Sequence, residues 1–289
     1  MTNKERLEAN NAKIDEIKKT LAKKQVSPND MLQQMVDQTN SCENMFYYSK
    51  CNNVDFLRNL DTSNVTNMNA MFNNCQNITT IDLSAFNTKN LNSIDSMFYY
   101  CKTVTTINLT GWDYSSLKTM YATFSGCSKL TKIIAPNIDT SKVTNMWSMF
   151  SGCPVLETIP NLDLLSVTDV SNMFRNCYKL ANLTLKNIKK SLTIGSATTY
   201  GHLLTNDSLI NTIQQLWDLT GMSSQTLTLS TTSKENIANI YVKLVDVTDE
   251  MLAQDQYAGN KKPCVVCEST DEGAMTLTEY ATSKNWAIA

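Results

Sequence analysis

Cys264-Val-Val-Cys267 is the one pair of side chains in this 289-residue sequence spaced for metal or redox work. A structural zinc site needs four ligands, and no second paired cluster or histidine partner accompanies these two. Thioredoxin-type exchange requires its thiols at a helix start. If the run is instead a strand, an offset of three puts the two thiols on opposite faces. His202 is the only histidine, so any Ser-His-Asp or Cys-His site must use it. Its setting, Tyr200-Gly-His-Leu-Leu, is a turn leading into a helix and carries no nucleophile motif. No G-x-x-x-x-G-K-[ST] loop and no Rossmann glycine set occurs. The sequence thus offers no catalytic residue, no metal site and no cofactor site, and it reads as a non-enzyme.

Contact chemistry is better represented, and it is carried by a repeat. Phe46, Phe72, Phe98, Phe124 and Phe150 recur every 26 residues, and Phe174 follows after 24. Seven positions before each of the last five lies Val65, Leu91, Leu117, Val143 or Val167. Four before lies Met68, Ile94, Met120, Met146 or Val170, and three after lies Cys75, Cys101, Cys127, Cys153 or Cys177. The residue following the second of these core positions must point outward. It reads Asn69, Asp95, Tyr121, Trp147, Ser171. Tyr121 and Trp147 are therefore expected as exposed neighbours on adjacent copies, joined by Tyr99, Tyr100, Tyr47 and Tyr48. Rigid amphipathic rings of this kind are enriched where proteins bind. Trp112, in the series Leu60, Phe86, Trp112, Ile138, Leu164, Ile188, is expected as a core wedge instead.

A fixed period of this length signals a solenoid. Within a period, Val65, Met68, Met71, Phe72 and Cys75 are spaced 3, 3, 1 and 3, which puts them on one face of a helical turn. Asp61 or Ser63 is a reasonable N-cap for that helix. Ile78, Ile81 and Leu83 then shift to strand-like alternation among β-favouring threonines. The expectation is one short helix plus one parallel strand per copy, stacked because a single copy cannot bury its own apolar face.

The phrases D-T-S-x-V-T-N-M-x-x-M-F-x-x-C and L/I-x-x-I-D-L-S-x-F, carried by residues 61–86 and 139–153, resemble the BspA-like class of bacterial leucine-rich repeats. Repeats of this kind are also carried by phage and prophage structural proteins. The resemblance covers residues 45–190 in six copies. The first copy departs from it, with Cys51 five residues after Phe46, and the sixth is two residues short between Leu164 and Val167. Irregular terminal copies suit capping units. What the resemblance implies is a binding surface.

Composition narrows the partners. A formal charge of −2 and a pI near 5.5, without a basic patch, exclude nucleic acid as an expected partner. No apolar run approaches the roughly 18 residues of a membrane span. The start, Met1 to Asn11, is charged and has no apolar segment of the kind a signal peptide needs. Five of the nine cysteines hold one inward repeat position, where a small buried hydrophobe fits. They are expected as reduced structural thiols of a chain made in a cytoplasm.

Residues 1–25 read as a helical stem or short coiled coil, with Leu7, Ile14 and Leu21 on one heptad position and Ile17 on the second. The stem either docks as a single amphipathic helix on another subunit or on the repeats, or self-associates into a homo-oligomer, a trimer being one form. Residues 26–44 read as linker and N-terminal cap, with a short helix over 29–36. Residues 191–289 read as a capping domain of helix-then-strand units, with helices near 205–220, 235–247 and 278–285 and a strand over 226–230. Its phrases Gln-Thr-Leu-Thr-Leu-Ser and Thr-Glu-Tyr-Ala-Thr-Ser-Lys-Asn-Trp-Ala-Ile are similar to closing segments of phage- and prophage-encoded repeat proteins. The fold class is therefore α/β, a leucine-rich-repeat solenoid between an N-terminal stem and a C-terminal α/β cap. The function expected is a phage virion surface protein of tail, baseplate or head fibre, attached to a host-surface receptor or to other virion proteins. The alternative is an exported bacterial surface adhesin.

Overall fold

Why the copies stack follows from where their backbone N–H groups go. The computed structural model describes residues 28–194, 204–205, 208, 211–212, 216, 225–229, 241–245, 264–267 and 275–288. The stem expected over 1–25 lies outside the described residues. The described part has few helices and short, mostly parallel strands in small sheets, an α/β content.

Helix α1 (Pro28–Thr39) begins at a proline, whose missing N–H is no loss in the first turn. It turns Val36 onto the core. Its Gln33 amide donates to the Asp61 carbonyl at 3.1 Å and accepts the Asp61 N–H at 2.7 Å, so the first edge of the repeats is closed by a side chain. Strands β1 (Thr80–Asp82), β2 (Thr106–Asn108) and β3 (Lys132–Ile134) then form a parallel sheet in the register Thr80, Thr106, Lys132. Strands β4 (Leu162–Asp163) and β5 (Leu185–Lys186) form a separate parallel pair. The break between β3 and β4 falls where Pro160 stands one period after Ile134, and proline has no N–H for a ladder.

A second ladder runs unbroken where the sequence led us to expect helices. Parallel bridges link Ser41 to Asn67, Asn67 to Ser93, Ser93 to Thr119, Thr119 to Asn145 and Asn145 to Asp169. The helix expected in each copy is absent, and turns replace it. In the second copy the N–H groups of Met71, Asn73 and Cys75 each close a turn onto the carbonyl three residues back. Those of Met68, Ala70, Phe72 and Asn74 reach instead to Ser93, Asp95, Met97 and Tyr99 of the next copy, at 2.8–3.0 Å. An α-helix would keep every one of these bonds to itself. Left-handed residues at four-residue intervals, Ala70 (φ 51) and Asn74 (φ 60), turn the chain so that alternate donors face the neighbour. Asp61 accordingly caps a turn, accepting the Ser63 N–H at 2.8 Å.

The apolar repeat positions are buried as expected, and the phenylalanines Phe46 to Phe174 stack ring on ring at 5.5–5.9 Å. Cys101 Sγ donates to the Phe72 carbonyl at 2.9 Å, and Cys75, Cys127, Cys153 and Cys177 do the same one copy along. Burial pushes the Cys101 and Cys177 thiols up to about 12. The threonine of the D-T-S phrase is the polar counterpart. Buried Thr88 donates to the Asp113 carbonyl and accepts the Asp113 N–H, at 3.0 and 2.8 Å.

Towards the C-terminus, β6 (Leu192–Ile194) and β7 (Gln225–Leu229) pair in parallel, and the expected strand over 226–230 is thus present. Strand β8 (Tyr241–Val245) occupies the second half of the helix expected over 235–247, which is overturned there. The β-favouring run Tyr-Val-Lys-Leu-Val is taken between two antiparallel partners, β9 (Cys264–Cys267) and β10 (Met275–Thr276). Helix α2 (Leu277–Ser283) follows with a reciprocal capping box between Thr276 and Glu279. Strand β11 (Trp286–Ile288) then adds to β7.

Candidate binding surface

The outward residue of each turn segment sits just before a left-handed one, so its side chain leaves the ladder on the side away from the core. Tyr121 precedes Ala122 (φ 50) and Trp147 precedes Ser148 (φ 52). Their rings stack across adjacent copies with centroids 4.8 Å apart and planes within 8°. Tyr121 is 38 % exposed and Trp147 is half-buried. Both lie on a turn face, which replaces the helix face expected from the spacing. Tyr99 and Tyr100, also singled out by sequence, pack against each other at 4.5 Å, with Tyr100 exposed and Tyr99 half-buried. Burial, and then the neighbouring phenols of Tyr100, Tyr121 and Tyr48, raise the Tyr99 hydroxyl above its ordinary range. Trp112 stays inside, donating its indole N–H to the Leu83 carbonyl at 2.9 Å.

Two supporting residues escaped the sequence reading. Gly126 (φ 77) lies under the Tyr100 ring, and a β-carbon there would come within 2.6 Å of it. A glycine one period after an exposed tyrosine was the available signal. Asp95 braces the platform. Its Oδ1 accepts the Tyr121 N–H at 2.8 Å and the Thr119 hydroxyl at 2.6 Å. In other copies Asn145 and Asp169 supply this cap from their own turn, to Trp147 and Ser171 at 2.9 Å each. Thr119 instead donates its hydroxyl to the previous copy's Asp95, and that carboxylate takes the Tyr121 N–H. Burial raises the Asp95 carboxyl above its usual range, while the bonds from Thr119, Tyr121 and Ser93 oppose that shift.

A groove of about 500 Å³ lined by Asn92, Ser115, Ser116, Lys118, Lys142 and Thr144 lies along the same copies, with the Lys142 ammonium donating to the Ser115 carbonyl at 2.9 Å. Among the described residues no group of three His, Cys, Asp or Glu could hold a metal ion. Cys264 and Cys267 lie at the two ends of strand β9, and His202 lies outside the described residues. No helix among the described residues is long and apolar enough to cross a membrane.

Copies in regular register, sharing one backbone ladder, define a repeat protein. The chain matches the family described as "Mycoplasma protein of unknown function, DUF285" over residues 16–135 and 103–217, and it belongs to that family. No curated protein matches it.

Proposed function

We propose that this chain is a non-enzymatic attachment protein, a leucine-rich-repeat solenoid of the BspA-like kind that presents Tyr121 and Trp147 to a partner on a host surface. The observation that carries the reading is the 4.8 Å stack of two partly exposed rings in a position occupied elsewhere by Asn69, Asp95 and Ser171. Exposed rings held by a rigid backbone lose little entropy on contact. The copies on either side fold with polar residues at the same place, so the fold does not require the aromatics.

The home proposed for it is a virion surface, as part of a tail, baseplate or head fibre, with a host receptor (protein or glycan) and other virion proteins as partners. Residues 1–25 would join copies of the chain, as a trimer or another homo-oligomer, and hold the repeats outward. A bacterial surface adhesin is the second reading, and the bacterial genus in the family description favours it. Immunogold labelling with an antibody to the repeats separates the two. Label on particles supports the virion, label on the cell envelope supports the adhesin, and label confined to the cell interior contradicts both.

A further inference from the structure

The stack of Tyr121 on Trp147 uses one face of each ring, so only the two outer faces can take a flat ligand. The outer face of Tyr121 looks toward the copy of Asp95. There the half-buried Asp95 holds the matching place, and its carboxylate accepts both Tyr121's own N–H and the Thr119 hydroxyl. The outer face of Trp147 looks toward the next copy, which is tied on by the Asn145–Asp169 bridge and by the Ser148 N–H to Ser171 carbonyl bond at 2.9 Å. The side chain at the matching place in that copy is Ser171, short and exposed. The outer column therefore has no ring at the Ser171 position, one copy on from the indole. We propose that this slot binds a neutral pyranose, its C–H face stacked on Trp147 as the next member of the column.

The rim of the slot selects that ligand class. Asp169 gives one carboxylate oxygen to the Ser171 N–H at 2.9 Å, and its other oxygen has no partner among the described residues. The Ser171 hydroxyl has none there either, and Asn172 beside it is exposed. An apolar plane edged by a carboxylate oxygen, a hydroxyl and an amide matches a sugar ring, which is apolar on one face and carries hydroxyls at its edge. A phenyl or aliphatic side chain of a protein would cover the free Asp169 oxygen and offer it no donor, an unfavourable burial. A nucleotide or an acidic sugar would bring negative charge to Asp169 on a chain of net charge −2.

This inference rests on the attachment reading, since the same outer pair supplies the contact. It is tested with the full chain by saturation-transfer NMR against methyl β-galactopyranoside and methyl β-glucopyranoside, with methyl β-glucuronide as the charged control. Transfer to the ring C–H protons of the neutral sugars, and weaker transfer to the glucuronide, is the expected result. Ser171→Leu places a branched alkyl group over the indole without offering a new flat ring. It is expected to lower neutral-sugar affinity at least tenfold, about 1.4 kcal/mol, with unchanged melting. Trp147→Ala should do the same from the other side of the contact. Absence of transfer from all sugars overturns the proposal, and so does equal affinity in the parent and both variants. If cell attachment falls on removing both rings but not in Ser171→Leu, the platform stands and the sugar slot falls. If attachment survives removal of both rings, the attachment reading itself has failed.

Discussion

Two aromatic columns run along the repeats, one inside and one outside, and they obey different rules. The inner column is phenylalanine at every step from Phe46 to Phe174, with rings 5.5–5.9 Å apart and planes within 9° of parallel. The outer column holds aromatics only at Tyr121 and Trp147, where the rings approach to 4.8 Å. From Phe72 to Phe174 the inner rings are fully buried, each with a buried cysteine three residues on, so any other shape there leaves a void or a clash. The outer position takes different side chains in different copies: Asn69 and Asp95 bond to the next copy, Ser171 makes no side-chain bond among the described residues, and the ladder closes on all of them. Uniformity marks what the stack needs, and variation marks what it is free to offer a partner.

The largest expected effect is on thiol chemistry in the inner region. Cys101 and Cys127 are buried and donate to carbonyls, so a thiol reagent must wait for the stack to open. With stability of even about 5 kcal/mol, modification should run about a thousandfold or more slower than in denaturant. Equal rates in the two conditions would break the contrast. Next in size is Phe98→Ala, expected to cost about 3–5 kcal/mol in chemical denaturation, as large-to-small core changes do. Tyr121→Ala should stay under about 1 kcal/mol, the ordinary range for partly exposed sites. Thr88→Val tests the polar part of the inner region. It strands the Asp113 N–H and carbonyl and should cost about 1–3 kcal/mol.

The smallest effects are those of pH, and they take opposite signs. Hydrogen bonds from Ser63, Ser115 and Ser141 hold Asp61, Asp113 and Asp139 below the usual carboxylate range. Their contribution is present above the unfolded value of 3.8 and is lost as pH falls through the lowered folded values. Asp95 is raised by burial, so its protonated form favours folding. That contribution is full below 3.8 and is lost as pH rises through the raised folded value. Asp95→Asn should therefore be no less stable than the parent at neutral pH, whereas Asp113→Asn should be less stable. Urea denaturation of the two variants at neutral and acid pH reads both signs, and a shared sign would remove the distinction.

The sequence made the period, the buried positions and the exposure of Tyr121 legible, because each rests on spacing alone. It did not reveal the turns. A spacing of 3, 3, 1 and 3 is equally produced by a helix and by successive turns. The left-handed position that decides the matter is filled by Asn44, Ala70, Ser96, Ala122, Ser148 and Asn172, and the alanines carry no turn signature. Asparagine or glycine marks the left-handed residue at Asn44, Asn74, Gly126, Gly152, Asn172 and Asn176, a hint too irregular to set against the helical spacing. Strand β8 was missed because its apolar residues also fit a helical reading, and pairing on both sides decided for a strand. The outer aromatic pair was visible as residues but not as a stack. That the two rings would cover each other, leaving only their outer faces, depends on a side-chain geometry that no periodicity contains.

The most direct measurement compares stability and attachment in one protein, the double variant Tyr121→Ala, Trp147→Ala. Thermal melting should stay close to that of the parent, because the inner column and both ladders are untouched. Binding to target cells should fall at least tenfold, about 1.4 kcal/mol. Normal binding by a protein that also melts normally would make the outer pair a bystander and contradict the division between the two columns.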